Sequence, residues 1–269
     1  MMLDVALVAE LLLLGGIGGF LAGMLGVGGG MILVPFTALL LEARGFPASQ
    51  VLQVAIATSL AMICFTSISS LRAHHQRGAV RWPLVVALSP GIVVGSILGA
   101  QVASRLPGAL LSLVFGGFIL VMATNMLRGG GREGTRELPG RWAVGAFGGV
   151  IGFVASMVGA GGAFLTVPFL SAHRVPMHHA VGTSAAVGLP VALAGTLGYV
   201  QAGWSASGLP PGTLGYIYLP ALAVLSVASV LAAPWGARAA HRLDTRQLKR
   251  AFAVLLYGIA AFMLVRALR

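Results

Sequence analysis

The sequence predicts an all-α polytopic membrane protein built from two inverted-topology repeats, and three observations carry that prediction. First, 58% of the 269 residues are hydrophobic and 9% charged, against roughly 25% charge in a soluble domain. Apolar runs longer than about 18 residues recur along the chain. Second, a glycine-rich break followed by proline occurs twice, in LGVGGGMILVP (25–35) and VGAGGAFLTVP (158–168). Third, equivalent loops in the two halves carry opposite charge bias. The runs are continuous, unlike the alternating segments of about ten residues in a membrane β-barrel.

Taken in order, the first segment, 5–25, lacks a basic leader and carries Glu10, with Asp4 just before it, so it reads as membrane domain and not as a cleaved signal. A short segment, 31–42, follows the first glycine tract, and segments 50–71, 82–104 and 109–127 complete the first repeat, residues 1–127. A charged linker, RGGGREGTRELPGR (128–141), leads into the second repeat, residues 142–269. Its segments fall at 142–158, 163–171, 179–200, 214–237 and 249–267. Each half thus holds a broken or re-entrant glycine-rich helix pair plus three spanning helices, about 8–10 membrane segments in all. About 20 residues cross the hydrocarbon core, so 163–171 reaches only partway.

The duplication is read from four matches in the same order. Gly26–Gly30 lies over Gly159–Ala163, with Pro35 on Pro168; Ala57-Thr58-Ser59 matches Gly182-Thr183-Ser184. His74–Gly78 matches Tyr199–Gly203, and Gly99–Leu106 matches Gly236–Leu243. Arginine and lysine in short loops mark the cytoplasmic side. The loop after the third segment holds Arg72, Arg77 and Arg81, while its partner, 201–212, is uncharged. After the fourth segment the bias reverses: Arg105 alone against Arg238, Arg242, Arg246, Lys249 and Arg250. Opposite bias in equivalent loops implies opposite orientation of the halves. With the linker and the Arg174 loop added, 13 of the 17 Lys and Arg residues share one side, the cytoplasmic face of a multi-pass inner (plasma) membrane protein. The net charge of +11 therefore reflects orientation in the lipid bilayer and not a nucleic-acid partner.

Broken helices in inverted repeats are a transporter architecture. A break exposes main-chain N–H groups, which must be buried in protein or line a wet cavity. At a helix start they make an anion site, and successive glycines let a backbone nest form. The expected substrate-lining residues are Gly26, Gly28, Gly29, Gly30, Gly159, Gly161, Gly162 and Ala163, with Pro35 and Pro168 as gating or structural residues. Glycines in membrane helices also serve close packing alone. The duplication, the proline five residues on and the junction of a normal with a short segment favour the substrate-lining role. Thr58, Ser59, Thr183 and Ser184 are second-rank candidates, since their hydroxyls can meet an oxyanion or bond back to their own helix. Glu10 is the one carboxylate within an apolar run and is the candidate for coupling. Gln101 and Asn125 are expected in interhelix hydrogen bonds, and Gln76 and Gln201 in solvated loops.

The paired motifs G-x-G-G-G-x-x-x-V-P and G-x-G-G-x-x-x-x-V-P, each opening one half of the chain, resemble those of the sulfite exporter TauE/SafE family of membrane permeases. The resemblance covers essentially the whole chain. It implies secondary transport, usually export, of a small anion such as sulfite or an organosulfonate. A permease or channel for another small anion, such as a carboxylate, is the alternative. Ala163 stands where the first motif has Gly30, so the two half-sites need not be equal.

No Ser–His protease context, aspartate pair, metal motif or Walker A sequence occurs, so neither an enzyme nor an ATP-driven pump is expected. Cys64 is the one cysteine, which leaves no intramolecular disulfide. No cofactor and no metal are expected. The partners expected are the small anionic substrate and the bilayer, with a homodimer left open.

Overall fold

The computed structural model describes residues 5–25, 30–128, 134, 137–240 and 245–268. Gly26, Gly28 and Gly29 lie outside the described residues, as does part of the linker. Among the described residues the chain forms ten helices: α1 (Val5–Leu25), α2 (Gly30–Ala43), α3 (Val51–Gln76), α4 (Trp82–Arg105), α5 (Gly108–Leu127), α6 (Arg141–Met157), α7 (Ala163–Ala172), α8 (Met177–Gly203), α9 (Leu219–Ala240) and α10 (Thr245–Ala267). Six contain stretches long and apolar enough to cross a membrane: α3, α4, α5, α8, α9 over Leu219–Gly236 and α10 over Arg250–Ala267.

The helices follow the apolar segments within a few residues, with one displacement. The segment expected from 214 starts as helix only at Leu219. Thr213–Leu214 (β1) and Ile217–Tyr218 (β2) form a small antiparallel pair in which Thr213 faces Tyr218. Gly212 (φ +91°) and Gly215 (φ +57°) supply the left-handed turns this needs. Proline sets several boundaries: Leu106, before Pro107, is extended (ψ 139°) and ends α4, while Pro107 and Pro176 cap α5 and α8.

Small residues weld the helices in pairs. A side chain at Gly91 or Gly95 of α4 would collide with the carbonyl oxygens of Gly145 and Gly149 of α6, and one at Gly152 with that of Ile92. On the other side of the bundle, Gly15 and Gly19 of α1 lie against Leu225, Ala228 and Ser229 of α9, and Ser229 Oγ donates to the Gly15 carbonyl at 3.0 Å. Close approach through small residues is the usual basis of helix association in lipid, where burying apolar surface gains little. Helices α5 and α10 run antiparallel, joined by Thr124 and Tyr257 at 2.9 Å. At the centre α3 and α8 also run antiparallel, with Gly195 against Leu60 and Gly188 against Ser67.

Two sets of contacts define the ends of the bundle. At one end Glu10 pairs with Arg44 (2.8 Å), Glu42 with Arg266 (2.7 Å), and Gln53 donates to the Leu106 carbonyl (3.0 Å). At the other, His179 Nδ1 meets the Ala79 carbonyl (3.1 Å), Arg174 faces Glu137 (3.9 Å), and the Gly134 N–H donates to Ser171 (2.9 Å). Helix α1 thus begins and α2 ends at the Glu10 end, whereas α6 begins and α7 ends at the His179 end.

Candidate functional site

The second glycine tract is fully described, and its conformation accounts for its glycines. Helix α6 ends in a Schellman motif: Gly159 is left-handed (φ +64°) and the Ala160 N–H returns to the Ala155 carbonyl at 2.9 Å. The chain then passes Gly161 and turns again at Gly162 (φ +75°), which caps α7. The Gly162 carbonyl accepts from the Leu165 N–H (3.2 Å), the Thr166 N–H (3.0 Å) and the Thr166 hydroxyl (2.9 Å). Gly161 and Gly162 are buried. The N–H groups of Gly161, Gly162, Ala163 and Phe164 have no acceptor among the described residues. Four main-chain donors thus gather at the start of a helix, where its dipole favours negative charge.

Helices α2, α3 and α8 wrap this break. A side chain at Gly30, the first residue of α2, would collide with the Gly159 carbonyl oxygen and stand 3.1 Å from Ser59 Oγ. The start of α2 and the end of α6 therefore meet at Gly30 and Gly159. Gly161 lies near Ile63 and Gly188, and Gly162 near Ile151 and Val191. Gly188 and Ser67 escaped the sequence reading. Gly188 stands one turn beyond Ser184, and that spacing was the available signal.

The four hydroxyl candidates divide into two kinds. Thr58 accepts the Tyr218 N–H at 3.1 Å, and Thr183 accepts the Arg81 N–H at 3.0 Å. Ser59 and Ser184 are buried, 2% and 1% exposed, and their hydroxyls, like those of Ser96 and Ser226, have no hydrogen-bond partner among the described residues. An unpaired buried hydroxyl costs on the order of 1–3 kcal/mol; Ser59 lies beside Gly30, and Ser184 one turn before Gly188. They do not meet at one point. Gly188 opposes Ser67, so Ser184 sits near the level of Leu71, roughly 18 Å along α3 from Ser59 at 1.5 Å per residue. Gly161, near Ile63 and Gly188, lies at a level between them.

The prolines differ in setting: Pro35 is buried within α2, whereas Pro168 of α7 is exposed. Each deprives the carbonyl four residues earlier, of Met31 and Phe164, of its helical donor. The six acidic residues, Asp4, Glu10, Glu42, Glu133, Glu137 and Asp244, all lie outside the two tracts. Glu10 is held by Arg44 on the exposed end of α1. Gln101 bridges to Gln201 Oε1 and the Gly198 carbonyl, both at 3.4 Å, as expected of an interhelix bond. Asn125 is exposed and makes no such bond among the described residues. Among those residues no group of three or more metal-ligating side chains occurs.

Comparison with known proteins gives consistent results. The sequence model of the family described as Sulfite exporter TauE/SafE matches residues 11–263. A probable membrane transporter protein of Haemophilus influenzae is 33% identical over 258 residues, covering 95% of this chain and 97% of that one. One from Methanocaldococcus jannaschii is 23% identical over 257 residues, 95% and 94% of the two chains. One from Xylella fastidiosa is 31% identical over 193 residues, 70% and 72% of the two chains. No solved structure matches this chain.

Proposed function

The chain belongs to the sulfite exporter TauE/SafE family of membrane transporters, and from that premise we propose that it is a secondary transporter, in the export direction, of small sulfur-containing anions such as sulfite or organosulfonates. The observation that carries this reading is the buried break between α6 and α7, with four unbonded N–H groups and no acidic residue in the tract. Such a site attracts an oxyanion and offers nothing to a cation. Ser59 and Ser184 are proposed to supply donors at either end of a substrate passage through the bundle. A negative interior drives anions outward at about 2.3 kcal/mol per charge per 100 mV.

The mechanism proposed is alternating access between two inverted repeats, 1–127 and 142–269. Three features of the packing support it. Helix α1 begins and α2 ends at one end of the bundle, whereas α6 begins and α7 ends at the other. The pair α1–α9 becomes the pair α6–α4 when the halves are exchanged. Thr58–Tyr218 becomes Thr183–Arg81 in the same way. The partway helices α2 and α7 are proposed as re-entrant, and the His179 end, with the linker, as cytoplasmic, in keeping with the arginine bias. Any proton coupling is assigned to Glu10, whose partner in the described conformation is Arg44.

Counterflow in proteoliposomes tests the reading. Vesicles loaded with unlabelled sulfite are expected to accumulate labelled sulfite saturably, and Ser59→Ala with Ser184→Ala is expected to weaken this without unfolding the protein. Counterflow with carboxylates and none with sulfur oxyanions would move the substrate to the alternative class. Unsaturable flux with unitary currents would make the protein a channel.

A further inference from the structure

We propose that a cleft between the last turn of α3 and the first turn of α8 is a second anion site, in which Arg77, His74 and His178 receive a free sulfonate or kindred oxyanion. As the entrance to the passage proposed above it rests on the anion-transport reading; as a binding site it stands on its own geometry. The cleft has a volume of about 700 Å³, within the usual range of ligand sites. Arg77, His74 and His178 line it together with Ala79 and Val181. Among the described residues no carboxylate lines it.

These three side chains are uncommitted. Neither Arg77, His74 nor His178 has a hydrogen-bond or ion-pair partner among the described residues, although the His178 ring lies 4.1 Å from that of His179. Their neighbours are occupied. His75 accepts the Trp82 indole N–H at 3.3 Å, His179 faces the Ala79 carbonyl, and His173 Nδ1 lies 2.7 Å from the Phe169 carbonyl. Arg174 faces Glu137, and Arg72 and Arg81 are exposed cations at the same end. Among the described residues the one carboxylate at this end, Glu137, faces Arg174, and the remaining charged groups are cations, which opposes a cation and leaves an anion as the fitting occupant.

The opposite end of the bundle supplies a contrast. The residue matching His74 there is Tyr199, which is fully buried, donates to the Ser156 carbonyl (3.3 Å) and meets Tyr216 edge-on. The chain from 204 to 218 covers that position, and Tyr218 packs edge-on against Phe46 at 5.1 Å. In the described conformation the matching position is covered at one end and open at the other. From the open cleft, Val181 leads to Ser184 one turn deeper on α8. The joint between them is tight: a side-chain carbon at Gly182 would stand 2.7 Å from both the Cβ and the carbonyl oxygen of Ala79.

A bound anion favours the protonated form of an imidazole, so binding strengthens as the pH falls. The test is equilibrium binding of radiolabelled methanesulfonate, whose charge is constant over this range, to the full chain in nanodiscs of zwitterionic lipid. The combined variant His74→Asn, His178→Asn, Arg77→Gln is expected to weaken one binding component about tenfold, as loss of charge-assisted hydrogen bonds does. It is also expected to abolish the pH dependence of that component. All three positions are exposed or half-buried, so the variant is expected to fold. An unchanged isotherm overturns the proposal. So does an equal loss in Arg141→Gln, which removes a charge outside the cleft. Displacement of this component by added phosphatidylglycerol assigns the cleft to a lipid headgroup and overturns the free-anion assignment. If Ser59→Ala with Ser184→Ala leaves all binding intact while the cleft variant removes it, the transport-site reading fails and the vestibule stands.

Discussion

The main-chain N–H of Tyr218 donates to the hydroxyl of Thr58 at 3.1 Å, across 160 residues of chain. Arg81 and Thr183 repeat the relationship at 3.0 Å. Tyr218 directly precedes α9, and Arg81 caps α4. Each threonine thus satisfies a main-chain donor where a spanning helix of the other half begins. Replacing either by valine keeps the shape and leaves an N–H unpaired, buried at Tyr218 and part-buried at Arg81. The expected cost is about 1–3 kcal/mol at each position, read as a lowered thermal transition in detergent. Serine at the same positions is expected to retain most of the stability.

Ser59 and Ser184 are expected to behave in the opposite way. Their hydroxyls satisfy nothing in the described conformation, so alanine removes a desolvated group and leaves stability unchanged or slightly raised. Transport is where the loss appears: the half-saturation concentration for the anion is expected to rise about tenfold for each serine, if each gives one hydrogen bond to a charged ligand. Equal transport by the folded double variant would mean that the serines only pack.

Gly30 and Gly117 separate two uses of glycine within helices. A side chain at Gly30 meets the Gly159 carbonyl, whereas nothing lies within 4 Å of one at Gly117. Gly30→Ala is expected to force the start of α2 and the end of α6 apart, with a loss of more than about 1 kcal/mol from overpacking and loss of transport. Gly117→Ala is expected to be neutral or to stabilise by up to about 1 kcal/mol, the helix-propensity difference. Thermal transitions and counterflow on both variants check this.

Gly162 is tied to its conformation more than to its space. At φ +75°, an L side chain costs roughly 1–2 kcal/mol. Asparagine tolerates this region better than β-branched residues. Gly162→Asn is therefore expected to unfold at a higher temperature than Gly162→Val.

Glu10 and Arg44 make an ion pair at 2.8 Å, with side chains 48% and 21% exposed. Glu10→Gln is expected to cost less than about 1 kcal/mol. Exchange driven by an imposed pH gradient then reads the coupling role separately. A gradient-driven component that disappears in this variant assigns coupling to Glu10, and one that survives removes it.

The sequence alone determined the class, the ten apolar segments, the break between α6 and α7 and the charge bias, because each depends on local composition. A helix in lipid must be apolar for about 20 residues, a break needs glycine, and a cytoplasmic loop needs arginine. Which faces meet was decided only in three dimensions. Helices α3 and α4 are similarly apolar, yet α3 is the buried one and α4 largely outward-facing. Lipid and protein interior are both apolar, so hydropathy cannot tell a lipid-facing residue from a core one. Hence the meeting of Gly30 with Gly159, the cross-half bonds of Thr58 and Thr183, and the unpaired state of Ser59 and Ser184 were not legible beforehand. The same holds for the cleft at Arg77: packing sets a loop arginine and two histidines of separate halves around one cavity and fills the matching place at the other end with Tyr199 and Tyr216.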